Sequence, residues 1–292
     1  MTTELTAEQI QNLMQGIAIP PQPQVMVDLQ MEQLSPSCSV ASIAKLISQD
    51  VGLSGSILKT VNSPYFKRIN HITSINQAVN ILGINSVVNL VNALSIRGAL
   101  SDDDIIALGR FWDSAMDVAA TAAMIGKEIG FPNPDEAYTL GLFHDCGVAL
   151  LMKRIKNYSD ILREAYARPE TIITSTENDL INTNHAVVGY YIGKSWNLPR
   201  YLCEAIHDHH QVERAFDEDS GEPKKKTLLA ILKMSEHICS TAKMFGDHDE
   251  DYEWNRVGSM ILEFVGLTFY EYEQLAAQVG ELGLGGTDYV TP

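Results

Sequence analysis

Six residues able to ligate a metal stand in order along this chain: the doublet His144-Asp145, then His185, the pair His209-His210, and Glu236. Imidazole nitrogens mixed with carboxylate oxygens suit a first-row divalent ion. An ion so held could lower the pKa of bound water and polarise a phosphate oxygen. With His144 and Asp145 on one helix, their side chains diverge by about 100°, so both reach an ion placed beside that helix. Each piece alone also has a plain reading. His207, His209 and His210 suit a solvated helix end, where histidine complements the C-terminal dipole. Glu236 suits an exposed helix face. Cys203 and His207 read as a core thiol near a surface imidazole, and His71, His237 and His248 as incidental. Only the ordered combination points to a site.

The elements that must position these residues have helical period almost throughout. Val40, Ile43, Ala44 and Ile47 form one apolar stripe, and Leu53, Ile57, Leu58 and Val61 a second. Ser74 is placed to cap a third helix carrying Ile75, Ala78, Val79 and Leu82, with Gly83 as its stop. Val87, Val88, Val91 and Leu94 continue the pattern. Ile19-Pro20-Pro21-Gln22-Pro23 forces an extended entry before the helices. Ser101-Asp102-Asp103-Asp104 suits a helix N-terminus, and a long helix with Trp112, Met116, Ala119, Ala120 and Ala123 follows, ending near Gly130. Phe131-Pro132-Asn133-Pro134 is a connector, and Asp135-Glu136 opens the helix that leads to His144. Asn184 is placed to cap the helix of Val188, Tyr191 and Ile192, and Pro199 starts the helix that ends at His209-His210. Strand alternation and hairpin turns are missing, so the fold class is all-α. Asp217–Lys226 and Gly246–Asp251 read as charged loops, and the tail after Gly280 as flexible.

The 292 residues suffice for a sizeable core, and 45% hydrophobic with 20% charged residues describes an ordinary globular protein. A net charge of −16 argues against sequence-independent nucleic-acid binding and against docking on anionic lipid. No signal peptide is visible at Met1-Thr2-Thr3-Glu4-Leu5, and no apolar run approaches the roughly 18 residues of a membrane span. Cys38, Cys146, Cys203 and Cys239 form no CxxC pair, so buried reduced thiols in a cytoplasmic protein are expected.

From Ile19 to about Ser240 the sequence resembles the HDOD family, the HD-related output domains of bacterial signalling proteins. The resemblance rests on Ile47-Ser48-Gln49-Asp50, Asn62-Ser63 and Ile81-Leu82-Gly83 in the N-terminal part. It continues with Phe111-Trp112, Gly141-Leu142-Phe143-His144-Asp145-Cys146-Gly147, Glu177 ahead of His185-Ala186, Gly189, Trp196-Asn197-Leu198-Pro199 and His209-His210. It implies an all-helical, two-lobed fold related to HD phosphohydrolases, with a degenerate metal site and a role in signalling. Related cyclic-dinucleotide phosphodiesterases hold metals through a helix histidine, a His-Asp pair, a later histidine, a histidine pair and a final aspartate. By that resemblance the metal ligands are His144, Asp145, His185, His209, His210 and Glu236, while Ser114 stands where the first histidine belongs. A serine hydroxyl is a poor transition-metal ligand. The Gly-Tyr-Pro signature of the phosphodiesterases is also absent after His210, where Gln211-Val212-Glu213 follows.

The expected organisation is an N-terminal arm (1–18), an HDOD domain (19–245, with lobes at about 19–100 and 104–245) and a C-terminal helical extension with a flexible tail (246–292). The expected function is a stand-alone, bacterial-type signalling module that contacts another protein. The alternatives are a metal-dependent phosphohydrolase acting on a nucleotide or cyclic dinucleotide, and a nucleotide-sensing protein without turnover. No catalytic residue is assigned. The cofactor compatible with these ligands is a divalent ion (Fe, Mn, Zn or Mg) at partial occupancy, and the partner is an unidentified signalling protein.

Overall fold

The computed structural model describes residues 24–49, 51–62, 72–98, 109–196, 198–217 and 222–284. The proline-rich entry at 19–23 and the acidic stretch 101–104 lie outside them. Every regular element among the described residues is helical, as the sequence periodicity requires.

The first lobe is built from α1 (Gln24–Gln33), α2 (Val40–Ile47), α3 (Val51–Val61), α4 (Ile75–Leu82) and α5 (Ile84–Gly98). Ser39 and Ser42 form a reciprocal capping box that starts α2. Ile43, Ala44 and Ile47 then share one buried core with Ile57, Val61, Ala78 and Val79. Asn62 ends α3 as a tie. Its amide donates to the carbonyls of Leu58 (2.8 Å) and Ile72 (2.7 Å) and accepts from the Ile72 N–H (2.7 Å). Ser74 precedes α4 in extended geometry but makes no side-chain cap, unlike the expectation. Gly83 ends that helix at φ 83°, a backbone angle that glycine tolerates.

The second lobe comprises α6 (Gly109–Glu128), α7 (Pro134–Phe143), α8 (Cys146–Arg154), α9 (Tyr158–Tyr166), α10 (Ile173–Ile181), α11 (His185–Ser195), α12 (Arg200–Asp208), α13 (Val212–Asp217), α14 (Pro223–Ile238), α15 (Thr241–Gly246), α16 (Tyr252–Val265) and α17 (Phe269–Glu281). The paired helices α6 and α7 form its spine, with α14 packed on both. A Cβ on Gly141 would lie 2.8 Å from the Ala119 Cα, so glycine sets how closely α6 and α7 approach. The lobes meet where α5 packs on α7, and the Gln30 side chain in α1 donates to the Trp196 carbonyl at 3.4 Å.

Two local expectations change, for the stretch 217–226 and for the start of the tail. The charged stretch 217–226 is not all loop, because Pro223 occupies the first turn of α14 and Lys224–Lys226 are helical. The region after 246 joins the main core through Trp254, Val257, Ile261, Leu262 and Tyr272. Past Gly280, Leu282 and Leu284 are buried in a small cluster with Ala120 and Val279, so apolar contact holds that part of the tail in place. Among the described residues no helix is long and apolar enough to cross a membrane.

Candidate metal centre

His144 and Asp145 do not share a helix. His144 is the C-cap of α7 and Asp145 the N-cap of α8, so the doublet forms the corner between them. A corner aims two adjacent side chains at one point more readily than a continuous helix does. His185 is the first residue of α11, whose N-cap Asn184 accepts from the Val187 N–H at 2.8 Å. His209 is the C-cap of α12, His210 follows it, and Glu236 comes from α14.

Asp145, His185, His209 and His210 converge, with their ligand atoms all within 4.8 Å of one another. His144 and Glu236 adjoin through the other carboxylate oxygen. His144 Nε2 is 3.1 Å from Asp145 Oδ2 and 3.5 Å from Glu236 Oε1. Asp145 Oδ1 is 3.4 Å from His185 Nε2 and 3.5 Å from His209 Nε2. Ser114 is buried on α6. The solvated-helix-end reading fails for His209 and His210 and holds for His207, which is partly exposed and bonded to Asp208 at 2.6 Å.

Each of the four clustered histidines has its Nδ1 committed to an acceptor. His144 Nδ1 faces the Gly141 carbonyl (2.7 Å), and His209 Nδ1 the Ile206 carbonyl (2.6 Å). His185 Nδ1 faces Glu177 Oε2 (2.7 Å), and His210 Nδ1 faces both oxygens of Glu253 (2.9 and 3.0 Å). Carbonyl and carboxylate oxygens only accept, so each Nδ1 carries a proton, and each ring in its neutral form presents a bare Nε2. The Nε2 atoms of His185 and His209 are 3.2 Å apart. Two lone pairs at that distance repel unless a proton on one nitrogen or a metal ion lies at them. His144 Nε2, His210 Nε2 and Asp145 Oδ1 are buried without a hydrogen-bond partner. Basic nitrogens with their opposite ring N–H fixed, beside an unpartnered carboxylate oxygen, form a donor set that fits a divalent ion.

Electrostatics divide the four histidines into two pairs. Burial opposes charge on His144 and His185, yet Asp145 with Glu236 around the first, and Glu177 with Asp145 around the second, hold both above the usual histidine range. Burial keeps His209 and His210 well below it, aided by the neighbouring histidines and Lys233. Asp145 resists burial because His144, His209 and His185 surround it, and its carboxyl falls well below the usual range. Burial pushes Glu236 up to about 7, against the pull of Lys233.

Glu177, its donor Tyr158, Lys233 and Glu253 were not singled out as site residues in the sequence. Glu177, which enters the sequence comparison only as a motif residue, also accepts from the His185 N–H (3.2 Å) and from the Tyr158 hydroxyl. Lys233 is buried with its ammonium 2.8 Å from Glu236 Oε2, 2.9 Å from Glu253 Oε2 and 3.4 Å from His210 Nδ1. Glu253 reaches in from α16. Lys233 also carries a detectable signal, a cation interrupting the apolar run Leu228-Leu229-Ala230-Ile231-Leu232 before Met234.

The family model for the HDOD domain matches residues 19–212. The chain belongs to the HDOD domain family. Lys233, Glu236 and Glu253 lie beyond that matched segment. An uncharacterized protein of Treponema pallidum (strain Nichols) is 27% identical over 208 residues, covering 68% of this HDOD chain and 39% of the relative, so the match spans well under half of that longer protein. An HDOD domain protein of unknown function from Geobacter sulfurreducens is 21% identical, with a TM-score of 0.65 over 94% of this chain and 96% of the other. Two proteins from Shewanella amazonensis SB2B are similar in structure. One, named provisionally as a phosphohydrolase, has TM-score 0.67, 22% identity and coverage of 94% and 95%. The other, named provisionally as a metal-dependent phosphohydrolase, has TM-score 0.61, 18% identity and coverage of 92% and 95%. At these identities the structural likenesses establish the shared fold.

Proposed function

We propose that this HDOD protein is a signalling or regulatory module that acts by contacting another protein and keeps a metal centre as a structural or sensing element. The observation that carries this reading is the enclosure of the ligands: His185 and His209 are 0% exposed, His210 1% and Asp145 3%. A phosphate ester approaching from solvent would have to displace packed side chains to reach an ion held among them. Among the described residues Lys233 is the lysine that borders these ligands, and it is committed to two carboxylates, which leaves little positive potential for a polyanionic substrate. The acidic chain adds long-range repulsion.

Asp145, His185, His209 and His210 would hold the ion, with His144 and Glu236 adjoining. A bound ion would supply Lewis acidity and a more acidic water. The rival reading, a metal-dependent phosphohydrolase, draws support from the bare Nε2 atoms and from the names of the Shewanella relatives. Metal analysis of the purified full chain together with a cyclic-dinucleotide hydrolysis assay separates the two. We expect bound metal and no appreciable turnover, with or without added Mn²⁺. Robust hydrolysis that His144→Ala abolishes would put the enzyme reading first.

A further inference from the structure

The centre contains two donor sets that share one carboxylate. Asp145 turns Oδ1 toward His185 and His209, and Oδ2 toward His144, whose Nε2 also faces Glu236. The first set, completed by His210, is a compact four-ligand cluster. The second set has the chemistry to take an ion of its own: an imidazole nitrogen, a shared carboxylate and a second carboxylate, with Glu253 close behind. Yet Glu236 and Glu253 each direct an oxygen to the Lys233 ammonium, at 2.8 and 2.9 Å. Resting on the metal reading above, we infer that Lys233 is a built-in cation that limits this centre to one metal ion, by taking the charge position that a second ion would fill.

The position of the ammonium, together with the charge count, explains why. Asp145, Glu177, Glu236 and Glu253 present four carboxylates, and Lys233 is the lysine among them. One dication in the histidine cluster leaves the group one charge short of neutrality. A second dication leaves it one charge over, and that ion would also have to sit against the ammonium, beside the two carboxylate oxygens that already face it, where little water screens the repulsion. Without the lysine, two dications balance four carboxylates. Lys233 also lies one turn before Glu236 on α14, so the helix itself holds the ammonium against the carboxylate that the family pattern would give to metal.

Ion stoichiometry tests this without reference to activity. The full chain is stripped with chelator, equilibrated with excess Mn²⁺, separated from free ion and analysed for Mn²⁺ per chain, with an electron paramagnetic resonance spectrum of the product. We expect one ion and an isolated-ion spectrum. Lys233→Met should take up a second ion and show an exchange-coupled pair, while Lys233→Arg should stay at one. Removing a buried cation endangers folding, so Lys233→Met/Glu253→Gln, which removes one charge of each sign, is measured alongside, with circular dichroism reporting the fold. Two ions in the unmodified chain would overturn the inference and leave the metal reading standing. One ion in a folded Lys233→Met variant would do the same. No bound Mn²⁺ in the unmodified chain would overturn both.

Discussion

Glu177 Oε2 stands 2.7 Å from His185 Nδ1, with both side chains fully buried. The other oxygen of Glu177 accepts from the backbone N–H of the same histidine and from the Tyr158 hydroxyl. This carboxylate therefore fixes the ring orientation and the tautomer of His185 and raises the basicity of its Nε2. Glu177→Gln removes the charge and turns an amide N–H toward at least one existing donor. Loss of such outer support weakens metal binding about 10–100-fold. Isothermal titration with Zn²⁺ at fixed pH reads the change, and unchanged affinity would refute the role given to Glu177.

Metal affinity should fall in acid. His185 is held above the usual histidine range by Glu177 and Asp145, so below its pKa a proton occupies the Nε2 that must ligate. The sign follows directly: lowering the pH protonates the ligand and weakens the metal complex, and raising it frees the ligand. Affinity should drop by up to about tenfold per pH unit below the His185 pKa and level off above it. Proton release on metal binding, read from titrations in buffers of different ionisation enthalpy, checks the same point.

Gly147 admits no side chain. A Cβ there would lie 2.1 Å from the His185 carbonyl oxygen and 2.9 Å from the Gly189 N, both backbone atoms that cannot step aside. Gly147→Ala must separate the start of α8 from the start of α11, and with it Asp145 from His185. We expect a loss of about 3 kcal/mol or more, the upper part of the overpacking range, by chemical denaturation. Metal affinity should fall in parallel.

One thiol should be accessible. Cys38 is half-buried, whereas Cys146, Cys203 and Cys239 are buried. Burial also pushes Cys203 up to about 11 and Cys239 up to about 12, which suppresses their thiolates. A native-state thiol titration should show one fast-reacting group, abolished by Cys38→Ser, with the other three reacting on unfolding.

The apolar stripes of α2, α3 and α4 were legible because helix periodicity is local. Asn184 and Pro199 were legible for the same reason, as residues suited to helix starts. Asp145, His185, His209 and His210 could be named in order because His and Asp are ligand types wherever they stand and the resemblance supplied their order. The corner at His144-Asp145 was missed because two helices separated by a doublet have the same apolar period as one. Lys233 and Glu253 were missed because nothing local pairs them with a histidine. Glu253 is 43 residues from His210, and only packing of α16 on α14 brings them together. The flexible-tail expectation erred at Leu282 and Leu284 because glycine content says nothing of a receiving groove beside Ala120.

The separation between His210 and Glu253 also sets a timetable. Chains are synthesised from the N-terminus, and long-range contacts wait for their second partner. By the time α12 emerges, the four clustered ligands exist, but α16 does not. Until it docks, His210 lacks the carboxylate that fixes its ring, and Lys233 lacks one of its two anions. A released chain that ends between residues 236 and 253 would hold an unlatched centre, and the late arrival of Glu253 is the step that closes it.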